Sequence, residues 1–182
     1  REMLALNEQA PTVLRTNSLK TTPRELIADL NDENVEAFTI KNYPDAVQLA
    51  EKKNVFLTSA FKDGLFEVQD ASSQKIGELL DVKEGMRVVD ACAGAGGKTL
   101  HLAALMKNKG QIIALDIYEW KLAELKRRAK RAGAHNIETR LISDNKVIKR
   151  LHEKADRLLI DAPCSGLGVL KRNPDSKWKI DQ

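Results

Sequence analysis

The chain has 182 residues, long enough for one good-sized domain or two small ones, with 42% hydrophobic residues to build a core and 31% charged residues to keep it soluble. No apolar run approaches the roughly 20 residues that span a membrane, no secretory signal opens the chain, and Cys92 and Cys164 are too few for a disulfide scaffold or a zinc cage. A net charge of +4 and a pI near 9.0 permit nucleic-acid binding without demonstrating it.

In chain order, "PTVLRTNSL" (11–19) reads as a strand. "TTPRELIADL" (21–30) then carries the signals of a helix start: Thr22 to cap, Pro23 at the first helical position and Glu25 in the first turn. "VEAFTI" (35–40) reads as a second strand, and Asp63-Gly64 within 54–69 predicts a tight turn between short β-prone runs. Residues 1–69 are thus expected to form a small α+β subdomain. Residues 70–84 follow as a linker whose helix presents Ile76, Leu79 and Leu80 on one apolar face.

From 85 to 182 the chain alternates strand and helix. Strands are expected at 87–92, 111–117, 137–142 and 155–162, with helices at 97–108, 118–133 and 145–154. Such alternation implies an α/β domain with a parallel sheet covered on both faces, and in these sheets ligands sit at the carboxyl ends of the strands. Asp90, Asp116, Asp144 and Asp161 each lie at or just past such an end.

"VVDACAGAGGKT" (88–99) runs from the first of these strands into a glycine loop. A phosphate-binding loop would place a glycine at position 92, which is Cys92, and Asp90 at the mouth would repel a triphosphate. In a Rossmann-type loop, Gly94, Gly96 and Gly97 let the backbone approach a ligand. The helix behind them offers N–H groups to an anion, and Asp116 follows at the separation of a ribose-gripping carboxylate. On these residues alone, NAD and S-adenosylmethionine fit equally well.

The stretch "IDAPCSGLGVLKRNPDSKW" (160–178) narrows the choice. Its Asp-Ala-Pro-Cys closely resembles the Nop/Sun family of RNA cytosine-5 methyltransferases, among which the bacterial 16S ribosomal RNA enzymes of Sun/Fmu type are the most similar. "LRTNSLKTTPREL" (14–26), "GLFEVQDASSQ" (64–74) and "DACAGAGGKT" (90–99) resemble three further motifs of that family in the same order, with Ala95 where proline is common. The resemblance implies a Rossmann-like S-adenosylmethionine-dependent methyltransferase fold preceded by an RRM-like subdomain, in a cytoplasmic protein that acts on RNA, ribosomal rather than transfer, with no metal and no membrane contact. It places S-adenosylmethionine across Cys92, Ala93, Gly94, Ala95, Gly96, Gly97 and Lys98, with Asp116 on the ribose, Asp144 on the adenine amino group, and Asp161 between cofactor and target base. Lys121 stands where relatives carry arginine near the ribose.

The resemblance also implies the chemistry. A thiolate adds to C6 of the cytosine and makes C5 nucleophilic toward a methyl group, which is covalent catalysis by cysteine. The base must leave its stack to react. In the RNA family the nucleophile belongs to a Thr-Cys motif on a later strand, and the Pro-Cys cysteine, here Cys164, assists release. The 182 residues contain no Thr-Cys. With Arg1 in place of an initiator Met and four strands visible, the sequence reads as a fragment cut at both ends, inactive by itself, whose last strand leaves an edge open to self-association.

Other residues keep more than one reading. Cys92 suits packing. Asp144 suits a helix cap as well as an adenine contact. Leu122, Leu125, Ala129 and Ala132 form the buried face of helix 118–133, whose basic face (Lys121, Lys126, Arg127, Arg128, Lys130, Arg131) suits solvent or phosphates. Arg15 and Asn17 at family positions, and Lys171 and Arg172 beside the Pro-Cys motif, are candidate RNA contacts, while Trp178 suits stacking or packing. His101, His135 and His152 show no metal-ligand spacing and read as surface or helix residues. Two other classes stay open: a phosphate-loop nucleotide-binding protein, and a non-catalytic RNA-binding module that keeps the fold.

Overall fold

A computed structural model describes residues 10–163. The expectations for Cys164, Lys171, Arg172 and Trp178 lie outside the described residues. The first unit is a four-stranded antiparallel sheet of β1 (Val13–Thr16), β2 (Ala37–Ile40), β3 (Tyr43–Leu49) and β4 (Phe66–Val68), in the order β2-β3-β1-β4. Helix α1 (Pro23–Asp32) starts as expected: the Thr22 hydroxyl accepts from the Glu25 N–H while the Glu25 carboxylate accepts from the Thr22 N–H. This capping box satisfies orphan donors at the helix start. Leu26 and Leu30 turn inward onto Leu14, Val47 and Phe66, the core of this unit.

Two local expectations are corrected here. Strand β3 has no counterpart in the sequence reading. It pairs with β2 through the two-residue connection Lys41-Asn42, with Asn42 at positive φ. Pro44 sits at its start, beyond the reach of β1, which pairs only with residues 46–48. The Asp63-Gly64 turn does not join two strands. Residues 59–62 form a short helix, α2 (Ser59–Lys62), capped by Thr58, and Asp63 and Gly64 terminate it, with Gly64 at φ +71°.

Helix α3 (Ala71–Leu79) links the units. Its buried residues are Gln74 and Gly77, whereas Leu79 is 82% exposed, so the expected apolar face is rotated: Ile76 and Leu80 touch the core and Leu79 does not. The second unit is a parallel sheet of β5 (Arg87–Asp90), β6 (Gln111–Asp116), β7 (Ile137–Leu141) and β8 (Arg157–Leu159), in the order β7-β6-β5-β8. Helices α4 (Gly97–Leu105) and α5 (Glu119–Ala132) pack on one face, where Leu100, Leu102, Met106 and Leu125 meet Val88, Ile112 and Ala114. Leu122, Leu125, Ala129 and Ala132 are buried as the spacing requires. The other face is covered more thinly, by Leu151 and the short α6 (Asn145–Lys149), and Ile148, Leu158 and Ile160 stay at least half exposed. The chain reverses direction across the sheet between β5 and β8, and the crevice at such a switch point is where this architecture binds ligands.

Candidate active site

A cleft of about 220 Å³ opens at the carboxyl ends of β5 and β8. It is lined by Asp90, Cys92, Ala93, Gly94, Gly97, Lys98 and Asp161, joined by Gln69 and Ser73 from the stretch linking the two units. Asp90 closes β5 and is 1% exposed. One of its oxygens accepts from the Thr99 hydroxyl at 2.7 Å, and the other, Oδ1, has no hydrogen-bond partner among the described residues. Burial pushes its carboxyl up to about 6, against the hydrogen bonds from Thr99 and from the Cys92 backbone. The Lys98 ammonium pairs with the Asp161 carboxylate, joining the start of α4 to the residues just past β8.

The loop over this cleft is fixed by backbone shape. Gly96 caps α4 at φ +90°, in the left-handed region, and a Cβ there would stand 2.6 Å from Leu125 Cγ. Glycine is therefore needed on two counts. The first N–H groups of α4 have no intrahelical acceptor, which suits an anionic ligand group. At the end of β6, Asp116 Oδ2 accepts from the Gly94 N–H and Oδ1 from the Tyr118 N–H, both at 2.9 Å. Each carboxylate oxygen can accept further hydrogen bonds.

Cys92 is half-buried rather than packed away, and burial together with Asp90, Asp116 and Asp161 raises its thiol, so it is held as the neutral thiol and not as a nucleophile. Ala95 turns its carbonyl to Arg128 and does not line the cleft. Asp144 caps α6, its Oδ1 accepting from the Lys146 N–H at 2.7 Å, and stands on the exposed surface outside the cleft. Lys121 lies over the rings of Tyr118 and Trp120.

Arg15 and Asn17 require correction. They are 2% and 4% exposed and so present no surface to RNA. Asn17 Nδ2 donates to the Gly64 and Ala132 carbonyls, and Lys20 Nζ to those of Asp63 and Arg131. They thus satisfy carbonyls at the end of α5 that the helix itself cannot. Arg128 and Arg131, on the face that suited solvent or phosphates, instead clamp the buried Glu67, while Lys126, Arg127 and Lys130 remain exposed. His101 is in a helix but not on the surface: it is 2% exposed, wedged against Gly77 with Asp45 3.8 Å from Nε2, and its burial lowers its pKa. A ligand role for Asp90 does not follow from its place at the loop mouth alone, although its position at the strand end is a usable signal. Gln69 and Ser73 reach the cleft from the linking stretch, within the motif at 64–74, and Arg128 holds the loop backbone from α5 without lining the cleft.

The fold is that of Rossmann-like S-adenosylmethionine-dependent methyltransferases, with a ferredoxin-like unit before it. Residues 77–182 match the family 16S rRNA methyltransferase RsmB/F, and residues 2–56 match its RsmF/B-like ferredoxin-like domain. The chain belongs to that family. It is 39% identical over 166 residues to the probable ribosomal RNA small subunit methyltransferase B of Bacillus subtilis (strain 168), an alignment covering 91% of this chain and 37% of that protein. Among solved structures, the crystal structure of PH0851 superimposes with a TM-score of 0.91 at 34% identity, covering 98% of this chain and 41% of the other. A methyltransferase homolog protein from Pyrococcus horikoshii superimposes with a TM-score of 0.81 at 33% identity, covering 92% and 55%. The chain thus spans well under two thirds of the length of these relatives.

Proposed function

We propose that this chain is the cofactor-binding part of a cytoplasmic enzyme that methylates C5 of a cytosine in ribosomal RNA through a covalent cysteine adduct. The observation that supports the reading is the Lys98–Asp161 pair, which joins the glycine loop to Asp161, the first residue of the Asp-Ala-Pro-Cys motif. S-adenosylmethionine, when bound, supplies an electrophilic methyl group. The residues suit it: free N–H groups at the start of α4 for its carboxylate, the unpartnered Asp90 Oδ1 for its ammonium, and Asp116 for the ribose hydroxyls. Asp144 would take the adenine amino group while still capping α6.

Asp161, oriented by Lys98, would hold the N3 edge of the cytosine and favour negative charge moving onto the ring as a thiolate adds to C6. C5 would then take the methyl group, after which its proton would leave to a base and the thiolate would be expelled from C6. Cys164, three residues past Asp161, would assist that expulsion. The attacking thiol would come from a Thr-Cys motif that these 182 residues do not contain. Lys171 and Arg172, close behind Cys164 in sequence, are proposed contacts to the RNA backbone.

A phosphate-binding role is disfavoured by the carboxylates of Asp90, Asp116 and Asp161 around the loop and by the engagement of Lys98 with Asp161. The test is calorimetric titration with S-adenosylhomocysteine and, separately, Mg-ATP. Heat from the first alone is expected, and heat from Mg-ATP alone would overturn the reading. In the full-length protein, Cys164→Ala should accumulate an RNA–protein adduct on a denaturing gel. Loss of attack with no adduct would move the nucleophile to Cys164.

A further inference from the structure

We propose that Arg15 and Arg128 are positioning residues for the methyl-donor loop, and that the small antiparallel unit thereby sets the affinity of that loop for its ligand. This rests on the assignment of the cleft to S-adenosylmethionine made above. Arg15 and Glu67 are direct cross-strand partners on β1 and β4. Leu14, the neighbour of Arg15, enters the core of the small unit, so Arg15 points the opposite way, into the interface. There its Nη1 donates at 2.6 Å to the carbonyl of Gly97 and at 2.6 Å to Gln69 Oε1, itself a cleft residue. Glu67 accepts from Arg128 Nη2 at 2.8 Å and from Arg131 Nη2 at 2.6 Å, which leaves Arg128 Nη1 to donate to the carbonyl of Ala95 at 2.8 Å.

Two guanidinium groups therefore grip the loop carbonyls on either side of Gly96. A trans peptide is planar, with its C=O and N–H pointing in opposite directions. Fixing the Gly97 carbonyl therefore aims the Lys98 N–H, one of the free donors at the start of α4, and fixing the Ala95 carbonyl aims the Gly96 N–H toward its acceptor, Ala93, at 2.9 Å. The buried charge of Arg15 also adds positive potential at the helix end where an anion would dock. Neither arginine touches the cleft, and both act through the backbone they hold.

The test compares Arg15→Met, Arg15→Lys, Arg128→Met and Asn17→Ala in this chain. Asn17 bonds across the same interface without touching the loop, so its variant reports general docking of the two units. Titration with S-adenosylhomocysteine should show at least tenfold weaker binding for Arg15→Met and Arg128→Met, recovery to within about threefold for Arg15→Lys, and less than a twofold change for Asn17→Ala. Amide hydrogen exchange without ligand should show the Gly96 and Leu100 protons exchanging at least tenfold faster in the two Met variants only. Arg15→Met binding within twofold of the unsubstituted chain, or Asn17→Ala losing as much as Arg15→Met, would overturn the proposal. Should the unsubstituted chain itself give no heat, the cofactor assignment fails, and unchanged exchange at Gly96 and Leu100 would sink the positioning role separately.

Discussion

In the antiparallel sheet three buried polar side chains, Arg15, Glu67 and, just past β1, Asn17, face the neighbouring unit and are spent on its backbone and its arginines, while Thr16 is buried with its hydroxyl unpartnered among the described residues. In the parallel sheet the buried polar side chains Asp90 and Asp116 close their strands at the ligand end, and Asp90 keeps an oxygen unpartnered. Buried polarity therefore means different things in the two units. At the carboxyl end of a parallel strand it marks the site. In the small sheet it marks the joint, and the joint in turn grips the loop that forms the site.

The largest effect expected is at the joint. Glu67→Ala would leave Arg128 and Arg131, both mostly buried, without their shared carboxylate. Losing one member of a buried ion group costs about 3–5 kcal/mol, so urea unfolding should show a loss of that order. A loss below about 1 kcal/mol would mean that this ion group adds little to the joint. Next is the loop itself. Gly96→Ala forces a left-handed residue and a Cβ against Leu125, together about 2–4 kcal/mol, and should abolish binding of S-adenosylhomocysteine. Retained binding would show that the loop tolerates another path.

Asp90 tests the site end of the comparison through pH. Its carboxyl is held at about 6 in the fold, so between about pH 4 and 6 the folded chain carries more protons than the unfolded one. The stability from this group is present below about pH 4 and is lost as pH rises through 6. Asp90→Asn removes that loss. Its stability relative to the parent should rise by on the order of 2 kcal/mol between pH 4 and 7 in urea titrations, whereas a constant difference would mean that the carboxyl titrates normally. The smallest effect separates two duties of one residue. Asp144→Asn keeps a good cap, so stability should stay within about 0.5 kcal/mol. S-adenosylhomocysteine should bind about three- to tenfold more weakly, as expected for loss of a charge-assisted hydrogen bond. Unchanged affinity would leave Asp144 a cap alone.

Features set by neighbours in sequence were legible in it. The Thr22–Glu25 capping box, the glycine turn at 94–97, the buried stripe of α5 and the aspartates at strand ends all depend on contacts a few residues apart or on the period of one element. The order of the motifs likewise points to the family. What only the tertiary structure decided involves partners far along the chain. Arg15 meets Gly97, 82 residues on, Asn17 meets Ala132, 115 residues on, and Glu67 meets Arg128 and Arg131. A basic residue in a strand looks the same in sequence whether it awaits a phosphate or a carbonyl. The choice is made by which surface the folded chain brings against it, and burial then requires that its charge and donors be satisfied there.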